Sequence, residues 1–287
     1  MEKKSITTSF GKIVYLDWNC KGKLGPVICI HGINRNKRDF DYLARTLAES
    51  NFRVIAIDVP GRGESEYMQP DLYTYENYRK ILLEFINRLA PQKCILVGTS
   101  MGGIVSMMLA STIPQKIEAL VINDIGPYTD FSAMVVLSKY LCMYPTFSSL
   151  DEAEKFLRVM LKPLGLLKEE HWQHVLHHSF RNTKEGKYVL DFDPEIFRNH
   201  KEKITGSRDL WEIWHNINQN IPILALRGEL SRMLSKETFT KMAQSRQKIS
   251  CLEYAGIGHA PSLMDHKQLE DIKSWLLANS SEKQKQN

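Results

Sequence analysis

The sequence predicts an α/β protein built on a doubly wound, mostly parallel sheet, with a helical cap inserted late in the chain. Three observations lead there. Short, mostly apolar runs recur along the chain, as strands buried on both faces require. Helical periodicity fills most of the gaps between them, and strict alternation of strand and helix favours parallel strands joined by crossover helices. The alternation then stops after Gly126-Pro127 and resumes near Pro222.

Taken in order, residues 5 to 17 alternate weakly about Gly11 and predict an opening hairpin at a sheet edge. Val27-Ile28-Cys29-Ile30 is the first buried strand, followed by a helical pattern from Phe40 to Glu49. Arg53 to Ile57 and Cys94 to Val97 are the next two strands, with helices predicted from Glu76 to Leu89 and from Gly103 to Thr112. Leu120-Val121-Ile122 follows. The interruption of about 90 residues is too long for a loop and has helical periodicity in Asp151 to Leu161 and Glu169 to Phe180. Strands at Ile223 to Leu226 and Ile249 to Tyr254 complete the sheet. The expected organisation is a core of residues 1–127 and 217–279, a cap of residues 128–216 and a flexible tail of residues 280–287. An insertion that leaves a strand at its carboxyl end would roof the crevice where open α/β sheets bind ligands.

At 287 residues, 43% hydrophobic and 25% charged, the chain has the balance of a soluble globular protein and enough length to bury a core without staples. The net charge of +5 is modest, and no basic stripe with interleaved aromatics points to nucleic acid. The opening residues lack an apolar stretch of signal-peptide length, and no run is long enough to span a bilayer, so a cytoplasmic protein is expected. Five widely spaced cysteines (Cys20, Cys29, Cys94, Cys142, Cys251) without a Cys-x-x-Cys pair read as reduced thiols, with Cys29 and Cys94 as small core residues.

The most informative stretch is Gly98-Thr99-Ser100-Met101-Gly102, between the apolar run ending at Val97 and the helix opening near Gly103. A serine on a sharp strand-to-helix turn needs small residues two positions before and after it, and Gly98 and Gly102 supply them. The hydroxyl then sits at a helix N-terminus, where unpaired N–H groups favour developing negative charge. A serine needs a base to accept its proton. Among nine histidines, His259 in the loop Gly256-Ile257-Gly258-His259-Ala260-Pro261 opens onto the same sheet edge.

Two positions compete to orient that imidazole. Asp124 lies at the carboxyl edge one strand beyond Ser100, and Glu229 follows the strand Ile223 to Leu226, where no aspartate occurs from Pro222 through Ser250. Asp124 leads; its alternative role is a cap for the turn at Gly126-Pro127. Two oxyanion donors are expected from the backbone N–H groups of Met101 and Ile33, the latter on the loop His31-Gly32-Ile33-Asn34. His31 reads as a packed, hydrogen-bonded neighbour.

With this elbow, the His31-Gly32 loop, the run Asp58-Val59-Pro60-Gly61-Arg62-Gly63-Glu64-Ser65 and the Gly258-His259 loop all in order, the chain resembles the α/β-hydrolase fold superfamily over roughly Ser5 to Ala278. It looks most like the serine hydrolases with a helical cap. The resemblance implies Ser100 as nucleophile, His259 as base and the cap as substrate selector. It departs at Ser231 and Arg232, where relatives usually carry the triad aspartate; some members instead use an aspartate after the preceding strand, which fits Asp124. A serine nucleophile disfavours the haloalkane dehalogenases and epoxide hydrolases, which use aspartate.

The expected activity is cofactor-independent cleavage of a small or medium carboxylic ester through an acyl-enzyme, with a small ester-like molecule as partner. The same residues could serve an amide, a thioester or a carbon–carbon bond beside a ketone, and a non-catalytic ligand-binding protein is the third reading. Tyr128, Trp172 and Trp211 are candidates for an apolar pocket, although aromatics at such spacing bury first and bind second. Arg35 could bind an acidic substrate group or simply solvate the entrance to the next helix. His171, His174, His177 and His178 invite a metal reading, since spacings of three and four share a helix face, but no carboxylate or cysteine completes a recognisable site, so no metal is expected.

Overall fold

The computed structural model describes residues 1–90, 92–141, 143–165, 168–197 and 206–280. Cys142 and the tail beyond Ser280 lie outside the described residues. The main sheet contains β1 (Glu2–Thr8), β2 (Gly11–Trp18), β3 (Leu24–Ile30), β4 (Phe52–Ile57), β5 (Cys94–Thr99), β6 (Ile117–Asn123), β7 (Ile223–Gly228) and β8 (Ile249–Tyr254). Their spatial order is β1-β2-β4-β3-β5-β6-β7-β8. β1 and β2 form the opening hairpin, paired Glu2 to Asp17 through Thr8 to Gly11, and β2 runs antiparallel to β4. All remaining neighbours are parallel.

Position in the sheet explains sequence character. Val27, Ile28, Cys29 and Ile30 of β3 are completely buried, because helices cover both faces of a central parallel strand. β1, at the edge, keeps Lys3, Ser5 and Thr7 exposed, which blunts a free strand edge with polar side chains.

Helices α1 (Asp41–Glu49), α2 (Tyr75–Leu89) and α3 (Met101–Thr112) follow β3, β4 and β5. α4 (Phe131–Leu141), α5 (Leu150–Met160) and α6 (Glu169–Ser179) occupy the long interruption, and α7 (Trp211–Asn216) precedes β7. α8 (Lys236–Gln244) and α9 (His266–Asn279) follow β7 and β8. α1 and α9 cover one face of the sheet with Leu43, Leu47, Ile272 and Leu276, while α2, α3, α7 and α8 cover the other with Ile81, Phe85, Val105, Trp214 and Phe239. The winding is therefore double. Side-chain caps start several helices in register: Thr74 accepts the Asn77 N–H before α2, and Ser235 accepts the Thr238 N–H before α8.

The segment between β6 and β7 leaves the sheet at its carboxyl edge. Tyr128–Thr129 pairs antiparallel with Arg208–Asp209 and pinches its base. It is not wholly helical. Thr146–Phe147, Tyr188–Leu190 and Phe180–Asn182 form a three-stranded ribbon, its hairpin closed at Thr183 and Lys187 with Gly186 at φ +76°. The helix predicted to reach Phe180 stops at Ser179 because that ribbon takes over the backbone hydrogen bonds. Trp214 of α7 is completely buried in the main core, and its indole N–H donates to Ser245 Oγ at 2.9 Å. No helix among the described residues is long and apolar enough to cross a membrane.

Candidate active site

The turn from β5 into α3 places Ser100 at φ 52° and ψ −113°, a conformation that L residues adopt only when their surroundings impose it. The two flanking glycines are what make it affordable. A Cβ at Gly98 would lie 2.4 Å from the Gly102 carbonyl oxygen, and one at Gly102 would lie 2.0 Å from the Ile30 carbonyl oxygen. The elbow is thus wedged against the end of β3.

Three strand ends meet there. Ser100 Oγ lies 2.9 Å from Nε2 of His259, on the loop after β8. Nδ1 of His259 lies 2.8 Å from Oδ2 of Asp124, which follows β6. Asp124 is completely buried, and its Oδ1 accepts the Gly228 N–H at 2.8 Å. Because an ionised carboxylate can only accept, this arrangement puts the imidazole proton on Nδ1 and leaves the Nε2 lone pair facing the serine hydroxyl.

The histidine loop is held by contacts that the sequence did not reveal. A Cβ on Gly228 would lie 2.3 Å from the Gly258 carbonyl oxygen, so the end of β7 and the histidine loop pack backbone against backbone. Buried Asn123 donates to the Pro261 carbonyl at 2.8 Å and to Thr99 Oγ1 at 3.2 Å, joining that loop to the elbow. A glycine closing a central strand is a signal for such close approach; the Asn123 contact left no local trace.

Ile33 and Met101 share an anchor. The guanidinium of fully buried Arg62 donates through Nε to the Ile33 carbonyl at 2.8 Å and approaches Met101 Sδ at 3.6 Å. His31 donates from Nδ1 to the Gly32 carbonyl and accepts the Val59 N–H at Nε2, at 2.7 and 3.0 Å. Complete burial pushes its pKa down to about 3, so it stays neutral as those two bonds require. Asp58 from the Asp58–Ser65 run is also buried and accepts from Lys37 Nζ at 2.5 Å, from the Lys37 N–H and from the Glu64 N–H.

A cavity of about 590 Å³ opens over Ser100 and His259. Its walls are mainly apolar and come in large part from the inserted segment, including Met160, Leu164 and Val175. Of the four expected binding residues, Arg35 lines this cavity, and its guanidinium is already engaged by Asp39 at 2.6 and 3.0 Å and by Ser179 Oγ at 2.8 Å. Tyr128, Trp172 and Trp211 lie outside it: Tyr128 belongs to the pinched base, Trp172 packs under Arg158, and Trp211 stacks on His215. Glu229 is exposed, and its carboxylate accepts the Gly256 N–H rather than a bond from His259.

The histidine face of α6 does find a carboxylate, contrary to expectation. Ligand atoms of Asp41, His174 and His178 lie within 4.8 Å of one another, because α6 crosses the start of α1. The grouping could accept a metal ion, but Arg38 already pairs with Asp41 Oδ2 and His174 Nε2 bonds to the Arg38 carbonyl.

Comparison with known proteins places this chain in a family. The model of the alpha/beta hydrolase fold matches residues 25–265. The chain belongs to the α/β-hydrolase fold family. The 3-hydroxybutyrate-oligomer hydrolase of Cupriavidus necator is 29% identical to this hydrolase over 267 residues, covering 90% of each chain. The sn-1-specific diacylglycerol lipase of Danio rerio is 27% identical over 82% of this chain and 73% of the lipase. Among solved structures, a putative hydrolase from Rickettsia typhi superposes with a TM-score of 0.90 at 32% identity, covering 97% of this hydrolase and 99% of that chain.

Proposed function

We propose that this hydrolase is a serine esterase that cleaves a small or medium carboxylic ester through an acyl-enzyme, using groups of its own chain. The observation that carries the reading is the hydrogen-bonded chain from Ser100 through His259 to Asp124 at the floor of the cavity. Ser100 Oγ attacks the ester carbonyl carbon while its proton passes to His259 Nε2. Asp124 keeps the imidazole oriented and stabilises the imidazolium that forms. The N–H groups of Met101 and Ile33 take the oxyanion, the first at an orphan helix N-terminus and the second on the Gly32–Ile33 peptide, whose carbonyl accepts from His31 Nδ1. His259 then protonates the departing alkoxide. Water repeats the sequence on the acyl-enzyme and releases the carboxylic acid, with Ser100 regenerated.

In this reading residues 128–216 act as the cap, and their apolar contribution to the cavity selects the acyl group. The name of the Cupriavidus relative refers to hydrolysis of an oligomer of a short hydroxy acid, which agrees with a compact acyl site. A fluorophosphonate should label Ser100 and leave Ser100→Ala unmodified. Absence of an adduct at Ser100 in the native chain would reject the proposal. Graded series of esters, thioesters and amides then identify the bond class, with esters expected to have the highest kcat/KM.

A further inference from the structure

We propose that Arg232 forms an anion subsite in the cavity, so that the preferred ester carries a carboxylate in its acyl or alcohol portion. This rests on the esterase reading and adds the charge of the substrate. Among the described residues lining the cavity, those with ionisable side chains are Arg35, Asp39, Arg232 and His259. Arg35 and Asp39 neutralise each other through their paired hydrogen bonds. His259 is committed to Ser100 and Asp124. Arg232 is exposed, and its guanidinium has neither an ion pair nor a protein hydrogen-bond acceptor among the described residues. It is the uncompensated charge of that lining.

The loop that carries it is built. Arg227, itself buried, donates to the carbonyls of Leu234 at 2.8 Å and Ser231 at 3.3 Å. Buried Ser231 accepts the N–H groups of Met233 and Leu234 at Oγ, and the Leu230 N–H donates to the Ile257 carbonyl of the histidine loop. Position 232 is therefore held between two fixed neighbours, and Leu230 and Met233 line the same cavity beside it. The loop after β7 gives His259 no acid, since Asp124 supplies it from β6. A guanidinium fork suits bidentate recognition of a carboxylate.

The test compares p-nitrophenyl butyrate with p-nitrophenyl hemiglutarate in the full chain. Arg232→Gln should lower kcat/KM for the hemiglutarate about tenfold or more, chiefly through KM, and leave the butyrate within about twofold. Arg232→Lys should recover part of the loss, and added salt should weaken only the anionic ester in the native chain. Equal losses on both esters, or none on the hemiglutarate, would overturn the subsite. Calorimetric binding of the corresponding hemiglutarate amide reads the contact without turnover, and Arg232→Gln should weaken it by a similar factor. A chain that binds the amide through Arg232 yet cleaves neither ester would sink the esterase reading and keep the subsite. Equal amide binding by both chains would sink the subsite alone.

Discussion

Asp124 divides its two oxygens between two partners, Oδ1 on the Gly228 N–H and Oδ2 on His259. Replacement by asparagine keeps the shape but offers His259 an amide that need not accept, so the wrong tautomer can face Ser100. Asp124→Asn should lower kcat by roughly 10⁴ with little change in KM. Glu229→Gln should stay within about twofold of the native chain, because the Glu229 carboxylate serves Gly256. The opposite ranking in ester turnover would reassign the acid. His31 makes a pH prediction of its own. Its folded pKa of about 3 lies below its ordinary 6.5, with burial the largest cause. Between those values the unfolded chain binds the proton and the folded chain does not, so stability falls as pH is lowered from 6.5 toward 3 and gains nothing further above 6.5. Urea unfolding of His31→Gln should show a shallower acid limb than the native chain, together with a loss of about 1–3 kcal/mol at pH 8 from the disturbed hydrogen bonds. Parallel acid limbs would show that His31 does not carry this dependence.

At the scale of elements, what positions the site is a set of backbone approaches that tolerate no side chain. Gly228→Ala would drive a methyl group into the Gly258 carbonyl and push the histidine loop away from β7. We expect a loss of about 1–3 kcal/mol in urea stability and a fall in kcat larger than any change in KM, as His259 is displaced from Ser100. Native-like turnover would mean that the loop has room to move. This contact also marks where sequence reading ends. The strands were legible because buried parallel strands are apolar throughout, as in Val27 to Ile30, and the elbow because Gly98 and Gly102 answer a local steric demand. Asp124 could be nominated from its place at a strand end. The Asn123 contact and the ribbon within the insertion could not, because each depends on a partner more than 30 residues away, apart from the ribbon's own short hairpin, and Gly228 signals a close approach without naming its partner. The aromatic residues misdirected the pocket reading for a similar reason: Trp172 packs under Arg158 of α5 and Trp211 stacks on His215 of its own helix, while the cavity is walled mainly by aliphatic and methionine side chains.

Across the whole molecule, the inserted segment is tied to the sheet on the side of Ser100 by a series of polar bonds. Arg35 donates to Ser179 Oγ and Asn36 to the His178 carbonyl at the end of α6. Tyr73 donates to Asp193, Gly63 to the Asp191 carbonyl and Asp193 to the Gly61 carbonyl. These ties hold α6 over the cavity, and Val175, 1% exposed on that helix, forms part of its lining. The depth available to an acyl chain should therefore depend on the size of residue 175. In Val175→Phe the extra ring atoms have the cavity to enter, so the penalty falls on substrate length more than on folding. Because a single methylene in an apolar pocket is worth about 1–3 kcal/mol, kcat/KM for hexanoyl and octanoyl esters should drop about tenfold or more. The acetyl ester, which does not reach the added ring, should stay within about threefold. Urea unfolding separates this from general damage: overpacking that cannot use the cavity costs about 1–3 kcal/mol and would lower turnover of every chain length alike. A uniform loss across the series would show that Val175 supports the inserted segment without measuring the acyl chain, and the length selector would then lie on another part of the wall, such as Phe156 and Met160 of α5 or Leu230 and Met233 on the loop after β7.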